Sequence, residues 1–116
     1  MALRLANITL DCDDVVRVAG FWSAALDRPL DDGASGFFAS IGMNDPTQPR
    51  WLFIKVPEPK TAKNRMHVDM ITDDRPAEIA RLVAIGATHV DDREEWGHSW
   101  SVMTDVEGNE FCIAQD

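Results

Sequence analysis

A stretch near the middle of the chain recurs sixty residues earlier in the same order of residue types. From Met66 to Asp74 the sequence reads Met-His-Val-Asp-Met-Ile-Thr-Asp-Asp. In a strand, alternation puts His67, Asp69 and Ile71 on one face and Val68, Met70 and Thr72 on the other, and the pair Asp73-Asp74 then suits the start of a helix. Asn7 to Cys12 followed by Asp13-Asp14 repeats this plan. The offset continues without a gap through Ala24 and Ala84, Asp31-Asp32 and Asp91-Asp92, Met43 and Met103, and Asp45 and Asp105. A constant register with matching element types predicts a duplicated module.

The chain of 116 residues is the size of one domain, so two modules, about 3–58 and 65–116, are expected to make a single domain over residues 1–116. A hydrophobic share of 45% with 27% charged residues is that of a soluble globular protein. The formal charge of −9 argues against nucleic acid and anionic membrane as partners, because phosphate is neutralised by clustered Lys and Arg. It favours cationic ligands at long range. No stretch is long and apolar enough to span a bilayer, and Met1-Ala2-Leu3-Arg4-Leu5 lacks the apolar run of a signal peptide, so the cytoplasm is expected. Cys12 and Cys112 read as unbridged thiols.

Leu3 to Cys12 is expected as the first strand, with Leu3, Leu5, Asn7, Thr9 and Asp11 on one face and Ile8, Leu10 and Cys12 on the other. Both faces are part apolar, which predicts a strand covered on each side. Val15, Val18, Ala19, Trp22 and Leu26 recur at steps of three and four and predict a helix from Asp14 to about Leu26, ended by Arg28-Pro29. Strands follow at about Gly36 to Ile41 and Trp51 to Val56, separated by the turn Asn44 to Pro49. Pro57 to Lys60 and Lys63 to Arg65 form a linker. In the second half, Asp74 caps a helix with Pro76 in its first turn, with Ile79, Leu82 and Val83 inward and Gly86 as terminator. Asp91 to Gly97 reads as a polar connection, Ser99 to Thr104 as a strand, Asp105 to Asn109 as a turn and Glu110 to Ala114 as the last strand. A single such half would leave one sheet face open to water, so pairing of halves, within a chain or across a homodimer, is expected to create a ligand cleft.

The runs Asn7-Ile8-Thr9-Leu10-Asp11 leading to Phe21-Trp22-Ser23-Ala24-Ala25-Leu26, then His67-Val68-Asp69-Met70, and above all Asp105-Val106-Glu107-Gly108-Asn109-Glu110-Phe111-Cys112-Ile113, resemble the vicinal oxygen chelate superfamily. This is the glyoxalase, bleomycin-resistance and extradiol-dioxygenase fold. Val106 stands where proline is usual in the family's Asp-Pro-x-Gly-Asn turn. The resemblance implies an α+β fold of two tandem βαβββ modules forming a concave sheet with a cleft. It also implies metal-ligand positions at Asn7, Leu52, His67 and Cys112, and the duplication agrees, since each module supplies the same two places. Divalent ions of this family's kind need imidazole and carboxylate. Leu52 has no donor atom, Asn7 offers a neutral amide, and Cys112 replaces a carboxylate, so the family metal set is degenerate.

His67 is either a pocket group, a general base or a structural histidine satisfied by Asp69. A carboxylate beside an imidazole makes His67 and Asp69 the candidates for a catalytic pair, with Thr9 as the counterpart of Asp69 in the first module. Cys112 is either a thiolate ligand activated by His67 or a small hydrophobe of the cleft wall, and the second is favoured. Trp96, His98 and Trp100 either line the site for stacking on a flat ligand or pack elsewhere. Arg50 and Glu110, matched across the repeat, fall at the cleft rim. The expected ligand-binding set is therefore Asn7, Thr9, Arg50, Leu52, His67, Asp69, His98, Trp100, Glu110 and Cys112. The leading expectation is a binder of a small organic molecule, similar to the bleomycin-resistance type, without a metal or other cofactor. The alternatives are a glyoxalase-like lyase or isomerase, or a dioxygenase-related enzyme, whose divalent ion is held by His67 and Cys112 or by a shifted set with Asp69, Glu110 or His98, and a metal-independent enzyme using His67 and Asp69.

Overall fold

Two aspartates sixty residues apart start the two helices in the same way. The carboxylate of Asp14 accepts a hydrogen bond from the Arg17 N–H at 3.1 Å, and that of Asp74 accepts one from the Ala77 N–H at 3.2 Å. Each satisfies a donor that has no partner inside its helix. The computed structural model describes residues 2–116; Met1, part of the N-terminal stretch considered above, lies outside the described residues. The elements are β1 Asn7–Cys12, α1 Val15–Leu26, β2 Phe38–Ile41, β3 Arg50–Lys55, β4 Val68–Thr72, α2 Arg75–Ala84, β5 Thr88–Glu95, β6 His98–Thr104 and β7 Glu110–Gln115. The described residues fall into two compact units, one ending at Pro59 and one running Lys60–Asp116.

In the first unit β3 pairs with β1 in parallel and with β2 antiparallel, giving the order β1-β3-β2. Val15, Val18, Ala19 and Trp22 are buried as the helical stripe predicts, and Phe21 joins them. Trp22 packs on Trp51 with ring centroids 4.8 Å apart, so Trp51 faces the helix, as alternation from Leu52 requires. Cys12 is fully buried on that same side. An isolated bridge between Leu30 and Ile41 stands beside the three strands of this half, and the seven strands of the described residues are consistent with the tandem βαβββ modules expected.

The first strand is shorter than its apolar pattern predicts. Leu3 and Leu5 lie before it and are 102% and 79% exposed, and Asn7, Thr9 and Asp11 are exposed along it, so this face is not covered as expected. The cause is pairing: β3 begins at Arg50, opposite Asn7, and offers Leu3 to Ala6 no partner.

The second unit has the order β4-β7-β6-β5, with β4 and β7 parallel and the other pairs antiparallel. Leu82 of α2 is buried and Ile79 half-buried, whereas Val83 is 47% exposed, so the inward stripe is narrower than expected. Ala87, past the helix end, is buried in its stead. Gly86 terminates the helix with φ +118°, and a Cβ there would lie 2.7 Å from the Val106 side chain. The Asp105 carboxylate is buried and accepts from the N–H groups of Glu107 and Asn109 and from the Asn109 amide, which builds the turn into β7.

Asp91 to Gly97 is not a connection. Thr88–Glu95 is the edge strand β5, exposed throughout, with a bulge between His89 and Asp91. An edge strand covered in charge lacks the apolar alternation that marks a buried one. Its carboxylates are held locally: Asp92 accepts from the Ser101 hydroxyl at 2.7 Å and meets His89 at 2.8 Å, contacts that lower its pKa, the Ser101 bond most, and Asp91 pairs with Arg93 at 2.8 Å.

The unbroken sixty-residue register also needs correcting. It holds for the parallel pairs, where Ile8↔Trp51 becomes Val68↔Phe111, but Ile41 pairs with Trp51 while Met103, not Ser101, pairs with Phe111. The first unit's turn is two residues longer, so Met43 lies in a turn and Met103 in a strand.

Two glycines give opposite expectations. Gly20 in α1 has open space around an added Cβ, so Gly20→Ala should stabilise the protein by about 0.5–1 kcal/mol, and Gly86→Ala, with its positive φ and the Val106 contact, should destabilise it by more than about 1 kcal/mol. Urea unfolding of the two variants beside the parent checks both signs.

Candidate functional site

Alternation along β4 and the register of its neighbours decide which side chains share the open face of the second sheet. The face opposite carries Met103, Phe111 and Ile113, all buried. His67, just before β4, then Asp69 and Ile71 have the other parity. The parallel register sets Asp69 beside Cys112 and Ile71 beside Ala114, and β6 adds Trp100 opposite Ala114 and Val102 opposite Cys112.

His67 Nδ1 lies 3.0 Å from Asp69 Oδ1 and 3.8 Å from Cys112 Sγ. The His67 and Asp69 side chains are 44% and 70% exposed, while Cys112 is 6% exposed. Burial pushes the Cys112 thiol up from its ordinary value of 9.0, and the Asp69 carboxylate pushes it further. A nucleophilic cysteine needs the reverse environment, a cation or an imidazolium that favours thiolate. Both neighbours of His67 also compete for the same ring nitrogen. With Nδ1–H donating to Asp69, the imidazole has no lone pair on that side to take the thiol proton. The arrangement therefore suits a neutral thiol in the sheet wall and an imidazole oriented by a carboxylate.

A hollow of about 770 Å³ lies over this face, lined by His67, Asp69, Ile71, Trp100, Cys112 and Ala114 and by the hairpin from Glu95 to Ser99. Trp96 and Gly97 form the two-residue turn of that hairpin, with φ +53° and +78°. Trp96 is 85% exposed. Glu95, Trp96 and Ile71 were not in the expected set; Glu95 escaped because its strand read as a loop.

The expected residues divide by unit. His67, Asp69, His98, Trp100 and Cys112 line this hollow. Glu110 does not line it; its carboxylate accepts from the Asn64 N–H at 3.0 Å and meets Lys60 at 3.5 Å, tying the linker to β7. Asn7, Thr9, Arg50 and Leu52 share the open face of the first sheet, where Asn7 is opposite Arg50 and Thr9 opposite Leu52. A separate hollow of about 940 Å³ lies against the Asn44–Pro49 turn and includes Arg50.

As metal donors, the His67 ring nitrogen, an Asp69 oxygen and the Cys112 sulfur lie within 4.8 Å of one another. One nitrogen, one oxygen and one sulfur suit a borderline-soft ion such as zinc better than a hard ion that prefers oxygen.

A family model described as a glyoxalase-like domain matches residues 7–114. The chain belongs to the glyoxalase-like domain family. No curated protein sequence matches this glyoxalase-like chain. Among solved structures, it is similar to a glyoxalase/bleomycin resistance protein/dioxygenase family enzyme from Burkholderia phytofirmans, at a TM-score of 0.78 and 18% identity over 97% of this chain and 98% of that one. It is similar to a fosfomycin resistance protein from Listeria monocytogenes complexed with Mn(II) and 1S,2S-dihydroxypropylphosphonic acid, at 0.79 and 12% identity over 98% and 90%. A bleomycin-binding protein from Streptomyces verticillus, complexed with copper(II)-bleomycin, aligns at 0.65 and 17% identity over 100% and 99%. These likenesses carry the fold, and the α+β architecture expected from the sequence is that of the family.

The buried thiol makes a direct expectation for this glyoxalase-like chain. Alkylation of Cys112 by iodoacetamide in the folded protein should follow an apparent pKa above 9.0, and Cys12, fully buried, should react only on unfolding. Mass-mapped labelling between pH 7 and 10 measures this; rapid modification of Cys112 at pH 7 would show a thiolate instead.

Proposed function

We propose that the chain binds a small organic molecule on the open face of its second sheet and does so without the metal centre of its family. The observation that supports the reading is the hollow itself. Trp96, Trp100, Ile71 and Ala114 give it an apolar and aromatic wall, and His67 and Asp69 are oriented at its edge. A concave apolar site with a few placed polar groups is the usual form of a small-molecule site.

The donor chemistry supports the second half of the reading. On the second sheet, His67 Nδ1 is engaged by Asp69. Cys112 is held toward its protonated form. That set does not fit the hard divalent ion of the family's enzymes. A bicyclic aromatic burying on the order of 150–200 Å² would gain roughly 4–5 kcal/mol, which the cost of association largely cancels. Useful affinity then depends on the polar groups at the rim. We further take the protein to be a cytoplasmic homodimer; neither property enters the argument for the site. No helix among the described residues is long and apolar enough to cross a membrane.

A second reading rests on one specific observation, the three donor atoms within 4.8 Å. In it, His67, Asp69 and Cys112 hold an ion that polarises a substrate oxygen, as in a lyase or isomerase. Metal content separates the two. Protein purified from medium supplemented with Mn, Fe, Ni and Zn should hold well under one ion per chain by plasma mass spectrometry, with its melting temperature unmoved by chelator. A stoichiometric ion that disappears in His67→Ala would overturn the proposal.

A further inference from the structure

The charges around the hollow point to a class of ligand. Asp69 and Glu95 line it, and no Lys or Arg does. The Glu95 carboxylate makes no hydrogen bond or ion pair among the described residues, in contrast to Asp91, which Arg93 engages, and Glu110, which Lys60 engages. The nearby cations are outside the lining. Arg75 donates to the Ser99 hydroxyl through both terminal nitrogens at 3.2 Å, Arg93 is spent on Asp91, and Lys63, also outside the lining, acts on the Cys112 thiol as the least of its influences. Residues 60–116 carry twelve Asp and Glu against six Lys and Arg, so the surrounding field has the same sign.

The aromatic side of the hollow agrees with the acidic side. Trp96 presents an indole that is 85% exposed from a backbone with φ +53°, a conformation that disfavours a bulky residue. Asn or Gly would form the same turn with less strain. An exposed tryptophan held at a strained position on the lip of an apolar hollow has the placement expected of a ligand-contacting group. Indole faces attract cations, and carboxylates nearby add to that attraction.

We infer that the hollow of the second sheet takes a flat aromatic molecule bearing a positive charge, with Trp96 and Trp100 as its stacking surfaces and Asp69 and Glu95 as its counter-charges. This rests on the organic-ligand reading above and adds the class of ligand to it. Stacking between indoles places the ring system of the ligand, and the two carboxylates favour the cation over a neutral molecule of the same shape. They also disfavour an anion, which would meet two carboxylates and no Lys or Arg in the lining.

Three probes of one shape test this: 1-methylquinolinium, its neutral isostere 1-methylnaphthalene, and the anion 1-naphthoate, titrated against the full chain by tryptophan fluorescence and calorimetry. The cation should bind about tenfold more tightly than the neutral isostere, with the anion weakest, and the gap should shrink as salt is raised. In Asp69→Asn with Glu95→Gln, cation and isostere should bind within about threefold of each other. Trp96→Asn, which keeps a residue suited to the turn, should lose about tenfold in affinity for the cation while melting no lower than the parent. Equal binding of cation and isostere, or a preference that survives the double substitution, would overturn the ligand class and leave the organic-molecule reading standing. Failure of all three probes to perturb the indoles would overturn both.

Discussion

The parallel pairing of β4 with β7 is what makes the second sheet a site. Its register sets Asp69 beside Cys112 and brings His67 within 3.8 Å of the Cys112 sulfur, while alternation along the strand itself gives the 3.0 Å contact of His67 with Asp69. Side chains alternate along a strand, so a slip of one residue would turn His67 and Asp69 toward the helix side and expose Val68 and Met70 in their place. The burial of Met103, Phe111 and Ile113 against that side prevents the slip. The first unit keeps the same parallel register, with Thr9 opposite Leu52, which is why the duplication is visible in the pairing even where its residues have diverged.

Much of this was legible in the residues. The capping aspartates Asp14 and Asp74, the helical stripe Val15-Val18-Ala19-Trp22, the turn built on Asp105 and the shared face of His67 and Asp69 all depend on local rules that a sequence displays. What was not legible depends on pairing partners. Leu3 and Leu5 continue an apolar alternation, yet no strand lies opposite them. Thr88–Glu95 looks like a solvated run because an edge strand can afford charge on every residue, and only its ladder with β6 reveals it. The two-residue slip between β2 and β6 is hidden by chance identities such as Met43 with Met103. Glu110 looked like a rim ligand and instead fastens the linker through Asn64 and Lys60.

The same scaffold thus carries two chemistries at different costs. Gripping a hard ion needs several charged or imidazole donors with their protons removed, whereas the second sheet offers an imidazole already engaged by Asp69 and a thiol that burial holds toward its protonated form. Holding an organic molecule needs apolar area and a few oriented polar groups, which Trp96, Trp100, Ile71, His67 and Asp69 present together.

The four tryptophans allow the central claim to be tested in one spectrum. Trp22 and Trp51 are buried together in the first unit, while Trp96 and Trp100 line the hollow of the second. In a ¹H–¹⁵N spectrum of the labelled chain titrated with 1-methylquinolinium or its neutral isostere, whichever binds, the indole signals of Trp96 and Trp100 should shift together and those of Trp22 and Trp51 should stay in place. Shifts confined to Trp22 and Trp51, or spread evenly over all four, would contradict a ligand site on the second sheet.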